Sequence, residues 1–112
     1  MDIDSMTIGE AKRLCDLFGS QRRRETPFKP GEAYLIRTVT MTWTGRVNRV
    51  IGDFIVIDNA AWIADTGRFS EAIASGIEKL NEVEPVDGPV FIGLGAIVDA
   101  VQWNHVLPRE VK

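Results

Sequence analysis

Apolar and polar positions change their period three times along the chain. Between residues 7 and 18, Ile8, Ala11, Leu14, Cys15 and Phe18 recur at helical spacing and form one apolar stripe. Thr7 and Glu10 stand in a T-x-x-E arrangement, which caps free N–H groups at a helix start, and Gly19 supplies the stop. This pattern predicts a helix over 7–19, followed by a polar connector over 20–32 that contains Pro27, Pro30 and Gly31.

From Ala33 the period falls to two. Leu35, Val39, Met41 and Trp43 would share one face, and Tyr34, Ile36, Thr38 and Thr40 the other. Val39-Thr40 is no turn dipeptide, so one long strand is the simpler reading of 33–51, with Gly45 as a bend; two strands with a turn are the alternative. Gly52-Asp53 is a hairpin turn. Phe54-Ile55-Val56-Ile57 is apolar enough to be buried on both faces and continues towards Trp62. Strands 1–3 are thus expected within 33–64.

Residues 65–80 read as a helical insert. Asp65-Thr66-Gly67 caps it, Phe69, Ala72, Ile73, Ile77 and Leu80 face inward, and Gly76 can end it early. Extended chain returns over 80–84, and Pro85 to Pro89 form a turn. Val90-Phe91-Ile92 and the run from Ala96 to Trp103 are two further strands around a Gly93/Gly95 corner, which places strands 4 and 5 within 81–103. The tail, 104–112, is expected along the surface.

Length and composition fit one mainly β domain spanning all 112 residues, with 45% hydrophobic and 26% charged content. No apolar run approaches the roughly 20 residues of a membrane span, so no membrane partner is expected. Met1-Asp2-Ile3-Asp4 lacks the basic start and apolar stretch of a secretory signal. With a single cysteine, the expectation is a reducing location: a bacterial cytoplasm or a virion.

The net charge of −3 disfavours a general nucleic-acid binder. The charge is nevertheless split. Residues 12–29 carry six basic and two acidic side chains, and residues 65–87 carry two basic and six acidic. Opposite patches can attract a neighbouring copy. Arg22, Arg23, Arg24 and Lys29 are the candidate contacts to a nucleic acid or an acidic partner.

Catalytic and metal chemistry find no foothold in the sequence. His105 is the only histidine, and Asn104 and Pro108 beside it make no ligand set. Cys15 lies on the apolar stripe and reads as a buried thiol. Asp58 and Asp65 read as a turn residue and a helix cap, and the 93/95 glycines are no phosphate loop. No cofactor, catalytic residue or metal ligand is assigned.

Gly45-Arg46-Val47, Gly52-Asp53 and the run Phe54 to Ala60 resemble the first motif of the Sm and Sm-like family. Val90-Phe91-Ile92-Gly93-Leu94-Gly95-Ala96-Ile97-Val98 resembles the second. The run from Asp58 to Phe69 also looks like a phrase in small phage and prophage proteins. The resemblance implies an SH3-like, strongly bent five-stranded barrel with an N-terminal helix and a helical insert between strands 3 and 4. It further implies homo-oligomeric rings in which edge strands of neighbours pair. Phe54, Trp62, Phe91, Ile92 and Trp103 are the candidate interface residues. RNA binding is the alternative, yet Phe54 stands where the family's base-holding asparagine aligns, and Ile92 or Gly93 where its arginine does. The expectation is therefore a non-enzymatic self-assembling structural protein.

Overall fold

A computed structural model describes residues 25–112. The expected helix over 7–19 and residues Arg22 to Arg24 lie outside the described residues. The rest is mainly β. Strands β1 (Ala33–Thr38), β2 (Thr42–Ile51) and β3 (Phe54–Asp65) are followed by a short helix α1 (Phe69–Ser75) and a single 3-10 turn (Ile77–Lys79). Then come β4 (Glu82–Pro85), β5 (Val90–Gly93), a second 3-10 turn (Leu94–Ala96) and β6 (Ile97–Gln102). All pairings are antiparallel, in the order β4-β3-β2-β1-β6, with β5 also on β3.

Two strands, not one, occupy 33–51. The turn between them has no glycine or proline. Thr38 closes it: its N–H donates to the Met41 carbonyl (2.7 Å), its Oγ1 donates to the same carbonyl (2.9 Å), and the Met41 N–H donates to Oγ1 (3.0 Å). The turn also reassigns faces. Ile36 lies opposite Trp43, so these two share a side, and Leu35 lies opposite Thr44 on the other. Val39 and Met41 are at the tip and exposed. At the next hairpin, Ile51 faces Phe54 across Gly52-Asp53, and Gly52 has φ 55°.

The expected five-stranded barrel becomes an open six-stranded sheet. The strand after α1 pairs with the second half of β3 instead of leading to a closure (Ile63 opposite Val83). β5 pairs with the first half (Ile55 opposite Ile92). Strands 4 and 5 of the sequence reading are thus three strands. β5 and β6 are joined by one 3-10 turn but do not pair with each other.

Two cores result. Tyr34, Ile36, Val47, Ile55, Ile57, Ala60 and Ile92 form the first, with Phe28 of the connector. Leu35, Ala61, Ile63, Ala72, Leu80, Val83, Trp103 and Leu107 form the second, with Phe69, Ile73 and Ile77 against it. The insert therefore buries the apolar face its spacing predicts. Its N-terminus differs from the expectation: Arg68 is the cap residue and gives no side-chain hydrogen bond, while Asp65 Oδ1 accepts the Gly67 N–H (2.8 Å) in a turn before it. Gly76, at φ 84°, ends the helix.

At Gly45, β2 packs tightly against Ile57 of β3. A Cβ there would come within 2.8 Å of Ile57 Cδ1 and 3.0 Å of its Cβ. The register of β2 against β3 slips across it, between Thr44 and Arg46, and again further on, between Val47 and Arg49. Gly45→Ala should cost about 1–3 kcal/mol in urea unfolding through overpacking. Adding Ile57→Val, which removes Cδ1, should recover part of that loss. Thr44 beside it is fully buried, and its Oγ1 has no hydrogen-bond partner among the described residues. Thr44→Val is expected to stabilise the chain by about 1 kcal/mol in the same measurement.

Candidate functional site: two strand edges and their apolar flanks

β4, β5 and β6 each have an outer side with no strand partner among the described residues. The outer side of β4 exchanges two backbone bonds with Lys112, which leaves two open edges, those of β5 and β6. Unpaired edges carry rows of N–H and C=O groups, which attract a further strand unless charge, bulges or cover prevent it. The 3-10 turn Leu94–Ala96 brings both into one corner. Backbone bonds fix that corner from two sides: Leu94 N–H donates to Asp53 O (2.8 Å), and Val39 N–H donates to Ala96 O (3.0 Å).

Exposed apolar side chains flank each edge. β5 pairs with β3 so that Ile92 and Val90 sit with Ile55 and Ile57 over the first core. The alternate residues point outward. Phe91 is 65% exposed and Phe54 51%. Ile51, opposite Phe54, is 52% exposed and extends the same face. At the other edge Val98 is 66% exposed. It is the extra residue where the β1–β6 register slips between Arg37 and Thr38. Val39 and Met41 are exposed at the nearby β1–β2 tip.

β6 is tied to β1 by a bidentate ion pair. Arg37 Nε donates to Asp99 Oδ1 (2.6 Å) and Nη2 to Oδ2, and the guanidinium lies 4.5 Å from the Phe69 ring centroid. The hydrogen bond from Arg37, helped by its charge, holds the Asp99 carboxyl below its ordinary range.

The sequence-derived interface residues separate into two groups. Phe54 and Phe91 are exposed and share one face. Trp62 is half-buried, opposite Trp43 on one side and Glu84 on the other. Ile92 and Trp103 are corrections, because they fill the chain's own cores at 6% and 3% exposure and offer almost no surface to a neighbour. Lys29 is exposed, with its N–H bound to the Tyr34 hydroxyl (3.0 Å). It stands alone among the described residues of the basic cluster. Ile51 and Val98 were missed. Ile51 had a signal in the tight turn that follows it, since Gly52-Asp53 sets it directly across from Phe54. Val98 had none, because a bulge decides its direction.

His105 and the carboxylates play structural parts. His105 Nε2–H donates to the Ile73 carbonyl (2.7 Å), and its ring meets Trp103 edge to face. Asp58 accepts from Asn48 Nδ2 (2.9 Å). Among the described residues no group of three or more His, Cys, Asp or Glu side chains is placed to hold a metal, and no helix is long and apolar enough to cross a membrane. Comparison with protein-family profiles, with curated proteins and with solved structures returned no match.

The Arg37–Asp99 pair has a defined pH dependence. With the native carboxyl pKa depressed, the pair's contribution is present above the unfolded value of about 4. It is lost as pH falls through the lower native value. Asp99→Asn should flatten the acid limb of the unfolding curve and leave the neutral-to-alkaline slope unchanged, which a pH series of thermal melts checks.

Proposed function

We propose that this protein is a non-enzymatic assembly module whose copies join by pairing the outer edge of β5 on one chain with the outer edge of β6 on the next. One observation carries the reading: two edges without a strand partner among the described residues meet at one corner, each flanked by exposed apolar side chains. Antiparallel addition at those edges would use main-chain N–H and C=O groups for affinity. Phe91 and Phe54 would bury against the Val98 side of the neighbour. Edges of different strands make a head-to-tail contact, which closes into a ring when the rotation between copies allows it.

The order β5-β3-β2-β1-β6, the close approach at Gly45 and the one-turn corner between the last two strands support kinship with Sm-like rings. The ring form and a phage or prophage origin are part of this proposal. RNA binding is the weaker reading, since Phe54 and either Ile92 or Gly93 stand where the family's base-holding asparagine and arginine align, and Ile92 is buried.

Light scattering across a wide concentration range tests the assembly. The expected mass is a fixed multiple of the chain. Phe91→Asp and Val98→Asp, both at exposed positions that leave the cores intact, should each shift the mass to the single chain. A single-chain mass for the unaltered protein at every concentration overturns the reading.

A further inference from the structure

β6 carries one residue more than its pairing with β1 uses. Thr38 lies opposite Ile97 and Arg37 opposite Asp99, so Val98 between them has no counterpart on β1. The chain is pinned on both sides of it. Before it, Val39 N–H donates to Ala96 O (3.0 Å). After it, Asp99 accepts both bonds of the Arg37 ion pair, and Trp103 N–H donates to Ala33 O (2.9 Å) just past the end of the strand. The side chains agree with this count. In a regular strand, residues two apart share a face. Ile97 packs against the first core, whereas Asp99 reaches the guanidinium that lies over Phe69, a residue packed against the second. Val98 itself belongs to neither core and is exposed.

The extra residue adds nothing to the chain's own ladder. Without it the Thr38–Ile97 pair would be followed directly by Arg37–Asp99, with every existing pair kept and the alternation of faces restored. What it changes is the open side of β6. A bulge interrupts the outward row of N–H and C=O groups and twists the strand, which is one way that edges are guarded. Beyond it, only the four residues Asp99–Gln102 run unbroken. The open edge of β5, Val90–Gly93, is also four residues long.

We infer that Val98 is a register stop: the extra residue confines pairing on the β6 edge to Asp99–Gln102, which admits a strand as short as β5 of a second copy and refuses a longer one or a second β6. The choice of β5 as occupant rests on the assembly reading above, and the stop itself rests on the register of β1 and β6. One residue is enough, because a slip of one exchanges the faces that a pairing strand presents.

Deletion of Val98, followed by light scattering and thermal melts, tests it. The shortened chain should melt at or above the temperature of the unaltered protein, because no native pair is lost. Its mass should cease to be one fixed multiple of the chain and should become larger, broader and concentration-dependent, as the lengthened edge pairs in more than one register. Val98→Ala keeps the extra residue and trims its side chain, and should retain one fixed mass. A deletion variant with the fixed mass of the unaltered protein overturns the stop. So does one that melts at a lower temperature, since the residue then belongs to the chain's own fold. Loss of the fixed mass in Val98→Ala assigns the effect to the side chain and overturns it as well. The assembly reading fails separately: a single-chain mass for the unaltered protein removes β5 as the occupant, and the stop then stands only if deletion makes the chain associate.

Discussion

The sheet depends on the contact of β3 with everything around it. Ile55, Ile57, Ala61 and Ile63 keep a single alternating parity along this strand, yet the first pair lies in one core and the second pair in the other. A regular strand cannot do this, because alternate residues share one face. Asn59, at φ 50°, stands between the pairs and supplies the change of direction. Asparagine tolerates the left-handed region better than other side-chain-bearing residues. The two halves of β3 can then take different partners, β5 before the turn and β4 after it. Ala60 O, on the residue after Asn59, accepts from Val86 N–H and from Arg109 Nη1, which holds the chain next to the kink.

The same constraint explains the two covers of the sheet. The first half of β3 builds a core almost entirely from strands, with Phe28 and Tyr34 meeting edge to face at its margin. The second half has no opposing sheet and uses α1, the 3-10 turn and the tail. The insert is thus a lid for the second core, and its short length suffices because the tail contributes Leu107 and Pro108.

Much of this was legible in the sequence. The hairpin at Gly52-Asp53, the apolar β3 run, the inward residues of the insert and the Gly93/Gly95 corner all follow from local chemistry and period. What failed has a common cause. The Thr38 turn is made by one side chain reaching the backbone, in a stretch whose composition reads as strand. The double use of β3 depends on the backbone angle of Asn59, which no hydrophobic pattern records. Ile92 and Trp103 were candidate interface residues, whereas neighbours distant in sequence bury them. The apolar flanks were half legible: Phe54 and Phe91 stood among the candidate interface residues, although the run from Phe54 reads as buried on both faces, and Val98 had no signal.

The two cores also differ in when the chain can supply them. Buried residues of the first run from Phe28 to Ile92, and those of the second from Leu35 to Leu107. During synthesis from the N-terminus, the strand core has its full set of buried side chains while the second still lacks Trp103 and Leu107. A nascent chain at that stage carries Leu80 and Val83 without their final cover and β4 without its backbone bonds to Lys112. The emergence of residues 104–112 therefore decides how long that edge stays open to other chains on the same messenger.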